Sequence, residues 1–155
     1  MSDVDLSAES YQRYREAGDI LETVLAEAAD RVAIGTTHLE VAQFAEELTV
    51  EEWGEPGFAV NISINEDGSH ATPGREDDTE FEAGDLVCLD IGVHVDGWIA
   101  DAAVTVDLGE NTELVEAAEE SLEAAIDVVE PGAHTGEIGA EIQDVIEAYG
   151  FNPVV

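Results

Sequence analysis

Between Asp85 and Asp107 the chain runs through two alternating apolar stretches joined at Asp96-Gly97. No other segment narrows the fold as much. Strict alternation has the period of a strand whose two faces differ, and Asp-Gly between two such runs is the mark of a two-residue hairpin turn, because both residues tolerate the positive φ it needs. Pairing the strands about that turn assigns faces by parity, since directly opposed residues share one. Val87, Leu89, Ile91, Val93 and Val95 fall with Trp98, Ala100, Ala102, Val104 and Val106 on an apolar face suited to a cover of helices. Cys88, Asp90, Gly92, His94, Ile99, Asp101, Ala103 and Thr105 form the other face. In this register Asp101 stands opposite Gly92, which makes Asp90 and Asp101 diagonal neighbours about 7–8 Å apart at the backbone. A bulge or an odd-length turn would put the two carboxylates on opposite faces.

The flanking sequence supplies the helices. From Ser7 to Val32 the residues Tyr11, Tyr14, Leu21, Val24, Leu25, Ala28 and Val32 recur at three- and four-residue steps, one face of an amphipathic helix that Gly35 ends. Thr37 and Glu40 form a capping box for a second helix reaching about Trp53, with Leu39, Val41, Phe44 and Leu48 on its apolar side. Gly54, Pro56 and Gly57 break the pattern, Phe58 to Ile64 alternate as a strand, and residues 65–84 form a polar loop carrying His70 and Pro73. Helices are expected over 112–129 and 135–149, separated by Pro131-Gly132.

A shift of 97 residues brings Ala28 onto Ala125, Asp30 onto Asp127, Val32 onto Val129, Gly35 onto Gly132, Glu40 onto Glu137 and Val41 onto Ile138; Trp53-Gly54 meets Tyr149-Gly150 at a shift of 96. The order helix, glycine break, helix repeats as well. After Trp53-Gly54 a strand and hairpin follow, whereas five residues remain after Tyr149-Gly150. The expectation is one incomplete domain over 1–155, with a first helix-helix-strand-hairpin unit over about 7–108 and the start of a second over about 112–155.

Charge bears on partners and solvent. Against 38 Asp and Glu stand four cations, Arg13, Arg15, Arg31 and Arg75, for a formal net charge of −34. Nucleic-acid binding through phosphate neutralisation needs clustered cations and is excluded, as is attraction to an anionic membrane surface. Disorder is disfavoured because 45% of the residues are hydrophobic and the acids are dispersed. A chain this acidic repels itself in dilute buffer, while at ~1 M salt the screening length falls to about 3 Å. The charge therefore reads as adaptation to very high salt. One cysteine, Cys88, precludes an intramolecular disulfide, and no apolar run approaches the ~18 residues of a membrane span. A soluble cytoplasmic monomer is expected.

Two carboxylates close together on a face of small residues repel, and a cation between them relieves the repulsion. Hard oxygen donors suit divalent metals, and a shared carboxylate pair suits two of them. With 38 of 155 residues acidic, solvated decoration is the competing reading of the same pair. His70 in its loop reads on its own as solvated. His94, on the Asp face, reads as a strand histidine or a supporter of a metal ligand, and His38 and His134 as capping-region or surface residues. Cys88 reads as a small core residue, and Trp98 opposite Val95 as core packing.

Leu89-Asp90-Ile91-Gly92, Asp96-Gly97-Trp98-Ile99-Ala100-Asp101 and Ala102-Ala103-Val104-Thr105-Val106 together resemble the metal-binding hairpin of the methionine aminopeptidases. Asn61-Ile62-Ser63-Ile64-Asn65-Glu66, His70-Ala71-Thr72-Pro73, Asp77-Asp78-Thr79 and Ala148-Tyr149-Gly150-Phe151-Asn152-Pro153-Val154-Val155 are similar to the archaeal and eukaryotic type II branch. The resemblance implies an α/β (α+β) pita-bread fold with a pseudo-two-fold repeat, here ending partway through the second half. It implies removal of N-terminal methionine from nascent polypeptides with two divalent ions, Mn, Fe, Co or Zn. Asp90 would hold one metal through both oxygens and Asp101 would bridge the pair. His70 would act at the scissile peptide, and Phe58 would wall the methionine side-chain pocket, ordinary core packing being the other reading of that ring. The family's remaining ligands, one His and two Glu, lie beyond Val155, so a chain of this length is expected to bind metal weakly and not to turn over peptide. Ala59 stands where the family often has Pro. A proline dipeptidase of the same fold and a non-catalytic pita-bread binding protein are the alternatives; retention of both Asp residues weighs against the second.

Overall fold

The computed structural model describes residues 8–154. Ser7, where the helical periodicity begins, and Val155, the last residue of the C-terminal motif, lie outside the described residues. The chain divides into two compact units, one up to Gly109 and one from Glu110. Among the described residues no helix is long and apolar enough to cross a membrane.

In the first unit, α1 (Glu9–Ala29) and α2 (His38–Glu51) precede a short β1 (Glu55–Pro56), β2 (Asn61–Ile64), a 3-10 turn (Asn65–Asp67), β3 (Leu86–Val95) and β4 (Trp98–Asp107). All neighbouring strands are antiparallel, and β3 is central, with β4 along one side and β1 and β2 in line along the other. The hairpin has the parity read from its turn. Val95 pairs with Trp98 and Leu86 with Asp107 without a bulge, and Asp96 and Gly97 take φ of 51° and 83°, the doubly positive pattern of a type I′ turn.

Val87, Leu89, Ile91 and Val93 are fully buried beneath Leu21, Val24 and Ala28 of α1 and Val41, Ala45 and Leu48 of α2. Trp98 departs from the core packing expected of it. Placed next to the turn at the end of the hairpin, its ring stays 39% exposed and packs edge-on with Tyr14, centroids 5.0 Å apart. Arg13 fastens the same corner by an ion pair from Nε to Asp96 Oδ2 at 3.1 Å. Phe81, in the segment expected to be a polar loop, is instead 1% exposed in the core. It is held by paired backbone bonds, Gly35 N–H to Phe81 O and Phe81 N–H to Thr36 O, both 2.9 Å.

The strand expected over 58–64 is shorter, Asn61–Ile64, and the segment expected to break the pattern contains β1, whose Glu55 and Pro56 pair with His94 and Val93. Gly57 N–H donates to Gly92 O at 2.7 Å, and the Phe58 ring then lies over Gly92, where any Cβ would collide with it. The chain leaves the sheet to make room for that ring and rejoins it at Asn61, opposite Asp90.

The second unit is a helical pair, α3 (Thr112–Asp127) and α4 (Thr135–Ala148). Its turns and caps repeat those of α1 and α2 at a shift of 97. Arg31 N–H to Ala28 O matches Val128 to Ala125, and Thr36 to Ala33 matches Ala133 to Glu130. The capping box of Thr37 and Glu40 recurs as His134 and Glu137. Gly35 and Gly132 both have positive φ. The closing turns match too: Trp53 N–H to Val50 O and Gly54 N–H to Thr49 O correspond to Gly150 to Glu147 and Phe151 to Ile146. The repeat thus keeps its shift of 97 to the end. Side-chain likeness had paired Trp53-Gly54 with Tyr149-Gly150 at 96, but the left-handed residues that stop the helices are Trp53 (φ 69°) and Gly150 (φ 84°).

Candidate metal centre

Asp90 and Asp101 project from the face of the hairpin opposite the helices, on central β3 and on β4. In register, Asp90 lies between Asn61 and Ala103, and Asp101 lies opposite Gly92. Small neighbours on this face, Gly92 and Ala103, let the two carboxylates come close enough to interact. Partial desolvation, then the charge of Asp90, then side-chain interaction with it push the Asp101 carboxyl above the ordinary carboxylate range. Two carboxylates held this close are the arrangement a cation between them relieves.

The pair opens into a cleft of about 430 Å³, lined by Phe58, Ala59, Asn61, His70, Thr72, Asp90 and Asp101. The four residues singled out in the sequence, Phe58, His70, Asp90 and Asp101, therefore line one cavity although they come from three separate segments. Phe58 arrives by the detour over Gly92. His70 arrives on the loop after the 3-10 turn, with φ of 65°, and Ala71 O accepts from Ile62 N–H at 2.7 Å, which lays this loop along β2.

The donor chemistry fits a hard divalent cation in kind and falls short in number. Among the described residues no group of three His, Cys, Asp or Glu could hold a metal ion. Asn61 and Thr72 join the cleft without having been singled out. Thr72 Oγ1 donates to Asn61 Oδ1 at 2.8 Å, and Asn61 Nδ2 reaches Asp90 Oδ2 at 3.4 Å. Parity on β2 was the available signal, since it puts Asn61 and Ser63 on the Asp face.

The remaining chemistry-bearing residues stay outside. Cys88 is partly buried, and burial raises its thiol pKa against an opposing hydrogen bond with Thr105, the reverse of nucleophile activation. His94 Nδ1 accepts from Gly97 N–H at 3.2 Å and so braces the hairpin turn. His38 stacks on Phe81, ring centroids 4.5 Å apart, and His134 occupies the N-cap of α4.

A helix-covered antiparallel hairpin whose bare face carries paired carboxylates beside a histidine has the outline of a metal-dependent hydrolase. Metallopeptidase family M24 matches residues 12–155, and the chain belongs to that family. Within it the chain is 54% identical over 140 residues to a methionine aminopeptidase of Archaeoglobus fulgidus, an alignment covering 90% of this chain and 48% of that protein. The crystal structure of a methionine aminopeptidase from Thermotoga maritima superposes with a TM-score of 0.84 at 31% identity, over 91% of this chain and 61% of that one. A prolidase from Pyrococcus furiosus superposes with a TM-score of 0.79 at 22% identity, over 93% and 44%, a likeness of fold alone. The fold is accordingly the pita-bread fold of these peptidases. The chain spans about half the length of the curated relatives it matches.

Proposed function

We propose that this chain is the part of a methionine aminopeptidase that contributes Asp90 and Asp101 to a divalent-metal site, and His70 and Phe58 to the recognition of an N-terminal methionine. The observation that carries the reading is the Asp90–Asp101 pair, diagonal across the hairpin, opening beside His70 into one cleft. Two divalent ions, of Mn, Fe, Co or Zn, would supply there an activated water and positive charge for the developing oxyanion. Asp90 and Asp101 would hold them, with further donors from the length of the relatives that this chain does not span. His70 would hydrogen-bond the scissile peptide, and the Phe58 ring would give the methionine side chain an apolar wall. In the whole protein the substrates would be nascent polypeptide N-termini, met by a cytoplasmic monomer. The prolidase likeness supports the fold and leaves proline dipeptidase as the competing activity.

Two carboxylates alone hold divalent ions loosely. Mn²⁺ titrated into this chain and followed by electron paramagnetic resonance is expected to bind weakly, with binding lost in Asp90→Asn and Asp101→Asn and no release of methionine from Met-Ala-Ser. The whole protein should cleave Met-Ala-Ser and spare Ala-Pro; the opposite preference would replace this reading with a dipeptidase. Unchanged Mn²⁺ binding in both Asn variants would remove the site.

A further inference from the structure

Asn61 is 8% exposed and its side-chain amide lies between a hydroxyl and a carboxylate. The Thr72 hydroxyl donates to Oδ1 at 2.8 Å, and Nδ2 faces Asp90 Oδ2 at 3.4 Å. Reversing the amide would set a carbonyl oxygen against a carboxylate oxygen, so Asp90, which only accepts, decides which way the amide points, and the Thr72 hydroxyl, able to donate or accept, gives its proton to the oxygen left facing it. One residue before Thr72, Ala71 O accepts from Ile62 N–H, one residue after Asn61. The His70 loop is thus tied to β2 by a backbone bond and a side-chain bond on adjacent residues, and the side-chain tie runs on to Asp90.

We propose that Thr72 and Asn61 are positioning residues. Through the amide, Thr72 fixes the orientation in which the Asp90 carboxylate meets a cation, and the same link sets the His70 loop in register with the carboxylate pair. This rests on the reading of Asp90 as a metal ligand. Groups that orient metal ligands in this way typically contribute 10–100-fold in metal affinity.

The test uses this chain with Mn²⁺ as the probe, and the Asn61 side-chain amide resonances of the metal-free protein as a readout that does not depend on metal. Thr72→Val should weaken Mn²⁺ binding about tenfold and shift the Asn61 amide resonances. Thr72→Ser, which keeps the donor, should leave both as in the parent. Asp90→Asn should shift the same resonances without metal. Parent-like Mn²⁺ affinity in Thr72→Val, or Asn61 resonances indifferent to Asp90→Asn, would overturn the proposal. Failure of the parent chain to bind Mn²⁺, with the resonances still responding to Asp90→Asn and Thr72→Val, would instead overturn the metal-site reading and leave the orienting link standing. Circular dichroism of each variant separates loss of the link from loss of fold.

Discussion

Gly92 carries two duties at one position. It stands opposite Asp101 on the strand ladder, and its bare Cα is the floor on which the Phe58 ring rests. A methyl group there cannot be absorbed by a flexible side-chain tip, because the colliding atoms belong to the ring that walls the cleft. Gly92→Ala is expected to destabilise the first unit by about 1–3 kcal/mol, the usual cost of overpacking, and to move Phe58, seen as lower urea midpoints and shifted Phe58 ring resonances. A parent-like urea midpoint would mean that the ring is free to leave. Much of the site was readable from sequence at this scale, because parity across a two-residue turn leaves little freedom: Asp90, Gly92, Asp101 and Ala103 had to share a face. Phe58 belongs to a different kind of information. Alternation from 58 to 64 suggested a continuous strand, and only the missing side chain of Gly92, on a strand distant in sequence, explains why the ring turns inward and the strand starts at Asn61. Phe81 was lost for a similar reason. It is a single aromatic among polar residues, without periodicity of its own, and the bonds that bury it come from Gly35 and Thr36.

At the level of elements, the repeated helical pair provides its own control. Both copies end their second helix with a left-handed residue, but one copy uses Gly150 and the other Trp53. A non-glycine residue in that conformation costs about 1–2 kcal/mol, and Trp53, 90% exposed, gains little packing to offset it. Trp53→Gly should therefore raise the melting temperature of the first unit by about 2–4 °C after the entropy cost of glycine is subtracted. A lowered melting temperature would show that the indole holds the turn by contacts stronger than the strain. The capping box gives a pH-dependent counterpart. Hydrogen bonds from the Thr37 backbone N–H and then the Thr37 hydroxyl hold the Glu40 carboxyl below its ordinary range. A carboxylate with a lowered folded pKa stabilises the fold above its unfolded value, and this is lost as pH falls through the folded value. Glu40→Gln, which can still accept at the helix start, should show a shallower loss of stability on acidification than the parent, with the difference opening below about pH 5. Parallel acid-unfolding curves would assign the cap no ionic part. The box was legible because Thr37 and Glu40 stand three residues apart before an apolar run. Its twin was legible only in part: the shift of 97 pairs Glu40 with Glu137 and places His134 at a helix start, but histidine is not among the usual capping residues, so the box itself shows only in the structure.

For the molecule as a whole, the 38 acids are a surface property. Among the described residues no carboxylate is buried, and the buried polar residues are Thr49, Asn61, Ser63 and Ser121. Cations offset little of the charge. Arg13 spreads over Glu9 (3.8 Å), Glu16 (2.8 Å) and Asp96 (3.1 Å), while Arg31 lies over the Phe44 ring, 3.5 Å from its centroid. The excess of −34 is left to solvent ions. Two mechanisms could make such a surface depend on salt, and they separate experimentally. If mutual repulsion is what must be overcome, screening suffices, and the fold should form wherever the Debye length is a few ångströms, about 3 Å at 1 M. If burial of apolar surface in a modest core limits stability, solutes excluded from the protein surface should serve equally well whether or not they are charged. We propose the first. Far-UV circular dichroism should report a folded chain at ~3 M KCl and a cooperative loss of helix on dilution to ~0.1 M. Sucrose at matched osmolality should not rescue it, whereas ~3 M NaCl should. Rescue by sucrose would place the salt requirement in the core rather than the surface, and an unchanged spectrum at ~0.1 M KCl would remove it altogether. The Asp90–Asp101 pair is the local form of the same repulsion, so Mn²⁺ at concentrations that fill the site should lower the KCl midpoint in the parent chain but not in Asp101→Asn.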